Sequence, residues 1–316
     1  MSEKEKITFS KLETSKPIPK NKKVRMTEMG HIIEVLSLQR EPRALLDYVK
    51  IDKYRYMHTG TGEIFDYVIN ENRSQNIGSV KKTLRKIRQI INNNFGGAKN
   101  ELMITLTYGV TMTDRERLYK DFEKFIKKLR RKINIEYFSV VEPQGSGSWH
   151  CHVLIKDTTT ENLYIHNDEV YKMWGHGWTT TRRLKEVDNV GAYLGGYMAD
   201  MEVCEENKDA LINAIILNNE PMKIEEKEVE QNGKKVKKKF AKGARLPMYP
   251  SGMNFYRKSR GIEIPETIEM DYGEVKKIVG SATPNYSRTI ELHQGEKSIN
   301  SITYEQYNLK RRKIKE

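Results

Sequence analysis

Two histidines stand one residue apart in the segment Trp-His-Cys-His-Val-Leu-Ile, at positions 150 and 152. The apolar residues around them predict a strand, and alternate residues of a strand project from the same face of its sheet. We therefore expect His150 and His152 to lie side by side, as two nitrogen ligands of one cation would. Histidine pairs of this kind also occur as structural features, so the pair alone does not decide the chemistry.

Glu142 is the third candidate ligand. It follows a predicted strand over residues 136–141, and the loop Glu-Pro-Gln-Gly-Ser-Gly-Ser then returns the chain to the histidine strand. In an antiparallel pair the carboxylate would lie beside the histidines. Two imidazoles and one carboxylate form a mixed site that accepts Mg²⁺ or Mn²⁺ and leaves positions open for substrate. Zinc also fits these ligand types, and a surface glutamate beside a loop is the plain alternative.

Tyr193 and Tyr197 lie on a helix predicted from about residue 188 to 201. A spacing of four residues puts both phenols on one helical face, one turn apart. Gly195 and Gly196 stand between them, although glycine disfavours a helix interior by about 1 kcal/mol relative to alanine. The glycines indicate that another backbone, of protein or DNA, approaches the helix closely. Such a tyrosine pair is typical of packing residues as well as of nucleophiles.

A metal site and a tyrosine together suggest phosphodiester chemistry. A phenol is a weak nucleophile near neutral pH because its pKa is about 10. A cation that binds the phosphodiester oxygens offsets this weakness by stabilising the charge of the transition state. Attack would give a phosphotyrosine, which retains the energy of the broken bond. The absence of a G-x-x-x-x-G-K-[ST] loop agrees with a reaction that needs no nucleotide hydrolysis.

The composition favours a nucleic-acid partner. The chain has 316 residues and a formal net charge of +13, which favours polyanions. No apolar run approaches the roughly 18 residues that a membrane span needs, so no membrane association is expected. The two cysteines, Cys151 and Cys204, cannot form a disulfide framework or a four-cysteine zinc site. We expect a soluble, cytoplasmic protein.

The order of predicted strands and helices indicates an α+β fold, with a central, mostly antiparallel sheet flanked by helices. We expect a flexible basic tail over residues 1–25 and an N-terminal extension over 26–100 that carries a basic amphipathic helix. An endonuclease core would span 101–204. A C-terminal extension over 205–316 would contain a β-hairpin at about 223–240 and a basic tail. In the hairpin, Asn232-Gly233 predicts a two-residue turn that sets Glu230 against Lys235 and Glu228 against Lys237.

Several basic side chains are candidates for DNA contact, although such faces are often only solvated. The lysine run 234–239 is open to the same two interpretations, because the neighbouring acidic strand would neutralise much of its charge. Stacking of nucleotides on a tryptophan (149, 174 or 178) is a further option, with core packing expected for at least two of the three. The candidate DNA contacts are Lys81, Lys82, Arg85, Lys86, Arg182, Arg183 and Lys185.

The motif order resembles that of HUH endonucleases. Ile-Thr-Leu-Thr-Tyr (104–108), the His150/His152 strand and the Tyr193/Tyr197 helix follow one another as in the rolling-circle replication initiators of plasmids and phages. The resemblance covers about residues 100–200. It implies an RNA-recognition-motif-like sheet that carries a metal site for Mn²⁺ or Mg²⁺. It also implies nicking of single-stranded or hairpin origin DNA, with a 5′-phosphotyrosine and a free 3′-hydroxyl as products.

By this resemblance His150 and His152 match the paired histidines, and Glu142 matches an acidic third ligand. Tyr193 matches the first tyrosine and is the predicted nucleophile, and Tyr197 would end or repeat the cycle by a second attack. The expected partners are origin DNA, a host helicase and a host DNA polymerase, and a homodimer is left open.

One departure from the family pattern concerns Gly196, which stands where related initiators often carry a lysine. Lys185 or an arginine would then have to position the phosphate. The open alternatives are a transposition or conjugative-transfer enzyme (relaxase) with the same chemistry, a catalytically silent origin-binding protein, and a metallohydrolase of small phosphoesters.

Overall fold

The computed structural model describes residues 7–40, 48–67, 72–184, 189–218, 222–231 and 234–311. The chain divides into two units, which we name by their place in the sequence. The terminal unit combines Met1–Ile69 with Glu266–Glu316, and the central unit is Asn70–Pro265. Helices and antiparallel sheets occur in both, so the predicted α+β class is confirmed. None of the helices in the described ranges has the length and apolar character that a bilayer crossing requires.

The elements follow one another along the chain. The first part of the terminal unit contains β1 (Ile7–Lys11), β2 (Lys23–Met29), β3 (Ile32–Leu38), β4 (Tyr48–Lys50), β5 (Arg55–His58) and β6 (Ile64–Asp66). The central unit contains α1 (Ile77–Asn94), β7 (Glu101–Thr107), α2 (Arg115–Arg130), β8 (Ile135–Pro143), β9 (Trp149–Asp157), α3 (Asn167–Trp174), β10 (Thr179–Arg183), α4 (Val190–Ala199), β11 (Met201–Glu202), α5 (Lys208–Asn218), β12 (Ile224–Gln231), β13 (Lys234–Ala241) and β14 (Tyr256–Lys258). The terminal unit resumes with β15 (Thr267–Asp271), α6 (Tyr272–Val279), β16 (Tyr286–Gln294) and β17 (Lys297–Asn308).

The terminal unit is built on a six-stranded antiparallel sheet in the order β1-β16-β17-β3-β2-β15. Apolar side chains of the sheet and of α6 form its core; they include Val24, Met26, Ile33, Val35, Val275, Val279 and Tyr307. A separate three-stranded sheet, β4-β5-β6, belongs to the same unit.

This sheet corrects the predicted flexible tail over residues 1–25, because β1 and the start of β2 are paired strands. The partner of β1 is β16, nearly the whole chain away, and the Ser10–His293 hydrogen bond spans 283 residues. Local charge, on which the prediction rested, carries no information about such a partner. The predicted C-terminal basic tail is likewise corrected at its start, since β17 continues to Asn308; residues 312–316 lie outside the described part.

The central unit is built on a five-stranded antiparallel sheet in the order β10-β7-β9-β8-β14. The helices α1, α2, α3 and α4 contribute apolar side chains to the same core as this sheet. The predicted apolar stripe of α2 is confirmed, since all five of its members are buried: Leu118, Phe122, Phe125, Ile126 and Leu129. Asp114 caps this helix, as predicted, by accepting hydrogen bonds from the backbone of Glu116 and Arg117.

The core of the central unit extends beyond the predicted endonuclease core of residues 101–204. On the amino-terminal side α1 contributes buried residues, among them Ile87 and Ile91. On the carboxyl-terminal side Tyr249 and Phe255 belong to the same cluster, and β14 pairs with β8. α1 is capped by Asn76 rather than by the predicted Ser79, whose backbone nitrogen donates to the Asn76 side chain. The segment therefore has structural partners on both sides in the sequence.

Helix α4 packs closely against α1 at Gly191. A Cβ atom at this position would lie 2.4 Å from the Arg88 carbonyl oxygen and 2.8 Å from Asn92 Oδ1. The Gly191 backbone nitrogen donates a hydrogen bond to Asn92 Oδ1 at 2.8 Å. The sequence predicted a close approach from Gly195 and Gly196, whose surroundings lie outside the described residues. The approach that the structure shows is at Gly191, one turn earlier in the helix.

We expect Gly191→Ala to lower the free energy of unfolding by about 1–3 kcal/mol, because the added methyl group would push α4 away from α1. Chemical denaturation of the two proteins measures this difference. Gly78→Ala on α1 is the matched control, since its Cβ would meet only Asn76 Oδ1, at 3.9 Å. That variant should keep or raise the stability. Equal midpoints for Gly191→Ala and the unmodified protein would show that α1 and α4 separate freely.

Candidate metal and nucleophile site

The predicted ligands are brought to one face of the central sheet by strand register. His150 and His152 lie on β9, with Glu142 of the neighbouring strand β8 directly opposite His150. On the other side of β9, Thr107 of β7 is opposite His150 and Thr105 is opposite His152. Residues directly opposite in antiparallel strands share a face. The sheet therefore places two imidazoles between a carboxylate and two hydroxyl groups.

The distances show a compact, buried arrangement. The two imidazole rings are stacked, with centroids 4.9 Å apart and an interplanar angle of 23°. Glu142 Oε1 lies 3.5 Å from His152 Nε2. Glu142 and His152 are both buried. The structure thus brings together all three residues that the sequence analysis proposed as ligands.

Two donor atoms of this group are buried without a described partner. Among the residues that the structure describes, none hydrogen-bonds to Glu142 Oε2 or to His150 Nδ1. Buried polar atoms are nearly always satisfied, and each exception calls for an explanation such as an ion. One imidazole nitrogen and one carboxylate oxygen are suitable ligands for a divalent cation. The residues present therefore fit the predicted metal.

The ligand set is adjacent rather than fully converged. Within the described ranges, no three His, Cys, Asp or Glu side chains are grouped as a formed metal site. The imidazoles face opposite neighbours, because His150 Nε2 lies 3.4 Å from Thr107 Oγ1 whereas His152 Nε2 faces Glu142. Convergence of the three groups on one ion would require a change in the orientation of the His150 ring.

The electrostatics keep the site in its metal-binding protonation state. Burial, assisted by the neighbouring His152, lowers the pKa of His150 to about 4, so its imidazole is neutral at pH 7. Burial alone would raise the pKa of Glu142, but the attraction of His152, their hydrogen bond and Arg245 outweigh it and lower that pKa. Neutral imidazole and ionised carboxylate are the forms that bind a cation.

Thr105 and Thr107 are part of the site although the sequence analysis gave them no role. Thr105 Oγ1 lies 3.2 Å from His152 Nδ1, and Thr107 Oγ1 lies 3.4 Å from His150 Nε2. Hydrogen bonds to the second nitrogen orient metal-binding histidines. Two threonines on alternate positions of one predicted strand, matched to two histidines on alternate positions of another, are the signal that could have found them.

The helix α4, which carries the predicted nucleophile, packs against β8 as well as α1. Leu194 and Met198 are buried and anchor the helix, whereas Tyr193 retains 37% of its surface exposed. An anchored helix with an exposed phenol is suited to present that phenol to a substrate. The backbone of Tyr197 lies in the same helix, but its side chain, like the surroundings of Gly196, lies outside the described residues.

Residues 101–202 match the family model described as Replication-associated protein, of the ORF2 type. This segment is that of a replication-associated protein. The resemblance to replication initiators is thereby confirmed over a stretch that runs from the start of β7 to the end of β11 and contains Glu142, His150, His152 and α4. A search of curated proteins found no match, and a search of solved structures found none either.

The predicted DNA contacts of this replication-associated protein have unequal surroundings. Lys81, Lys82 and Lys86 are exposed on α1, Arg85 is half-buried there, and Arg182 is exposed on β10. Arg183 is engaged within the protein, since it donates hydrogen bonds to the carbonyl oxygens of Lys99 and Leu163 and to Asn162 Oδ1. Lys185 lies outside the described residues. The surface lysines of α1 and Arg182 remain the candidates for DNA contact.

Two of the three tryptophans are core residues, as predicted. Trp149 and Trp174 are buried, and each donates its ring N–H to a backbone carbonyl oxygen, of Thr113 and Thr107 respectively. Trp178 is 64% exposed beside the edge strand β10 of the central sheet. It is therefore the tryptophan whose exposure suits stacking with a nucleotide.

The hairpin β12–β13 has the predicted register. Glu228 is opposite Lys237, Val229 is opposite Val236 and Glu230 is opposite Lys235; the turn residues 232–233 lie outside the described part. Lys237 also forms an ion pair with Glu226, and Lys238 forms one with Glu202. These pairs favour the interpretation that the lysine run is partly neutralised by neighbouring acidic residues.

Proposed function

We propose that this protein initiates rolling-circle replication by nicking one strand of origin DNA, with Tyr193 as the nucleophile. One observation carries the proposal: two buried donor atoms without a partner among the described residues, His150 Nδ1 and Glu142 Oε2, lie in one cluster within a replication-associated segment. Helix α4, which presents Tyr193, packs against the strand that carries Glu142.

The proposed step conserves phosphodiester bonds. The phenolic oxygen of Tyr193 attacks the phosphorus of one DNA linkage, and the phenolic proton passes to solvent or a base. The bond from phosphorus to the 3′ oxygen breaks, and that oxygen keeps the electron pair and takes up a proton. The products are a 5′-phosphotyrosine and a free 3′-hydroxyl. Attack of a 3′-hydroxyl on the phosphotyrosine reverses these changes and releases the phenol.

The chain contributes the ligands and the orientation of the reacting group. His150, His152 and Glu142 would hold a Mn²⁺ or Mg²⁺ ion, which when bound polarises the phosphodiester and stabilises its developing charge. Thr105 and Thr107 orient the imidazoles, and α4 presents the phenol. Tyr197 would act in a second transfer. A host helicase would unwind the duplex, and a host DNA polymerase would extend the 3′-hydroxyl.

The test uses the full-length protein and single-stranded oligonucleotides that tile its own replicon. We expect a 3′-labelled oligonucleotide to become attached to the protein in Mn²⁺ or Mg²⁺, as seen on a denaturing gel. The same oligonucleotide labelled at its 5′ end should instead yield a free fragment that a DNA polymerase can extend. Excess EDTA should lower the adduct at least about 10²-fold, because no cation would then stabilise the transition state.

Each arm of this test can contradict part of the proposal. An undiminished adduct in EDTA would contradict the metal requirement, and adduct formation with Zn²⁺ alone would contradict the choice of Mn²⁺ or Mg²⁺. Attachment of the 5′-labelled end would reverse the polarity of attack. Specific binding of origin DNA without an adduct in any ion would identify a catalytically silent origin-binding protein.

A further inference from the structure

The segment after the hairpin β12–β13 supplies the end of the nucleophile helix with hydrogen bonds. The last carbonyl groups of a helix have no partner within it. Here the Arg245 backbone nitrogen donates to the Ala199 carbonyl oxygen at 3.0 Å, and Arg245 Nε donates to that of Asp200 at 2.8 Å. The Tyr249 hydroxyl lies 2.9 Å from the Met198 carbonyl oxygen. Three consecutive carbonyl groups at the end of α4 are thus satisfied by two residues of a distant segment.

The same two side chains also reach the end of β8, next to Glu142. The Tyr249 hydroxyl lies 3.0 Å from the Val141 carbonyl oxygen, so its single hydrogen is shared between β8 and α4. Arg245 Nη1 donates to the Pro143 carbonyl oxygen and lies 4.0 Å from Glu142 Oε1. Arg245 and Tyr249 therefore bridge the strand that carries a candidate ligand and the helix that carries the nucleophile.

Both bridges are inside the central unit. Tyr249 is fully buried, and its ring packs edge-on against Phe255 at 4.6 Å between centroids. The Arg245 side chain retains only 12% of its surface exposed. A buried guanidinium with hydrogen bonds to several fixed acceptors holds those acceptors in one geometry. A positive charge at the carboxyl end of α4 also matches the direction of the helix dipole.

We infer that Arg245 and Tyr249 are positioning residues, which fix the nucleophile helix relative to the Glu142 end of β8. The inference rests on the proposed function, and it lies outside the segment that matches the family model. It assigns a role in the reaction to the region beyond residue 202, where the predicted C-terminal extension begins. A shift of about 1 Å in a reacting group can lower a rate about 10²-fold even when the substrate still binds.

Rates of adduct formation test this inference. We expect Arg245→Met and Tyr249→Phe each to lower the rate constant at saturating DNA by about 10²-fold. The half-saturating DNA concentration should change by less than about threefold, because neither side chain is expected to bind DNA. Arg245→Lys should recover part of the rate, since lysine keeps the charge but cannot reach several acceptors at once.

Lys128→Met is the matched control. Lys128 Nζ donates to the Met173 carbonyl oxygen at 2.8 Å, which is the same kind of bond at the end of a different helix, α3. Its rate constant should stay within about twofold of the unmodified protein. Thermal unfolding of every variant gives the folded fraction at the assay temperature. An equal loss of rate in Lys128→Met, or unchanged rates per folded molecule in Arg245→Met and Tyr249→Phe, would overturn the positioning role.

Hydrogen exchange provides a readout that needs no activity. Amides in the second half of α4 should exchange at least about tenfold faster in Arg245→Met, and at the unmodified rate in Lys128→Met. If the unmodified protein forms no adduct but exchange responds as expected, the proposed function fails and the bridge stands. If adducts form normally and exchange in α4 is unchanged by Arg245→Met, the bridge fails alone.

Discussion

Tyr193→Phe is expected to abolish covalent attachment of this protein to DNA. The substitution removes one oxygen atom, the one that would form the bond to phosphorus, and leaves the aromatic ring in place on α4. Loss of a nucleophile of this kind should lower the rate of adduct formation by a factor on the order of 10⁴ or more. Denaturing gels of the 3′-labelled substrate measure the adduct, and filter binding shows whether the uncleaved DNA still binds.

Tyr171→Phe is the matched control, because Tyr171 is an exposed tyrosine on another helix, α3, of the same unit. It should form the adduct at the unmodified rate. If Tyr193→Phe kept full activity and Tyr197→Phe lost it, the chemistry would stand and the assignment of the nucleophile would be wrong. If both single variants kept partial activity and the double variant had none, the two phenols would be interchangeable.

His150→Ala should have the second largest effect. It removes the nitrogen that is buried without a described partner and that we propose as a metal ligand. We expect adduct formation to fall by a factor on the order of 10³ in saturating Mn²⁺, since the remaining ligands would hold the ion in the wrong place. Calorimetric titration of the DNA-free protein with Mn²⁺ should show weaker binding in the same variant.

His166→Ala provides the comparison, because His166 is an exposed histidine at the start of α3. Its Mn²⁺ affinity and adduct rate should equal those of the unmodified protein. Unchanged Mn²⁺ affinity in His150→Ala, with the rate still lost, would show that His150 contacts the DNA or the nucleophile and not the metal. Unchanged affinity and rate together would remove the histidine pair from the mechanism.

Local patterns predicted the central sheet and its helices well. The apolar stripe of α2 repeats at helical spacing around a cap at Asp114, so each signal lies within a few residues of the element that it specifies. The hairpin β12–β13 was predicted down to its register because a two-residue turn fixes every later pair. His150, His152 and Glu142 were found for the same reason, since one short loop connects the strands that carry them.

The terminal unit could not be predicted in this way. Its central strands bury polar side chains, among them Glu34 on β3 and Thr303 and Glu305 on β17, so their hydrophobic pattern is mixed. Glu305 accepts hydrogen bonds from the buried hydroxyl groups of Tyr272 and Tyr307. A carboxylate that is satisfied by such buried hydroxyl groups looks, in the sequence, like a surface group. The strand partners are also too distant in the chain for any turn signal to connect them.

The same limit explains why Arg245 and Tyr249 were missed. Most of their hydrogen bonds are to backbone carbonyl groups of α4 and β8. Any residue type has such a carbonyl group, so no side chain in those elements marks the contact. Sequence motifs reveal residues that act by their own chemistry, whereas residues that hold others in place become visible only with the fold.

The topology of the terminal unit has a consequence for biosynthesis. Strand β17 lies between β16 and β3, and the hydrogen bond from Gln306 to Glu34 joins residues 272 positions apart. While the ribosome makes the central unit, β2 and β3 therefore wait without their partner strands, and closure of so long a loop is slow. The central unit has all of its strand partners within its own stretch of chain and can fold first. We therefore expect nascent chains to pass through a stage with a folded nicking unit and an open, aggregation-prone sheet edge, which chaperones would have to protect.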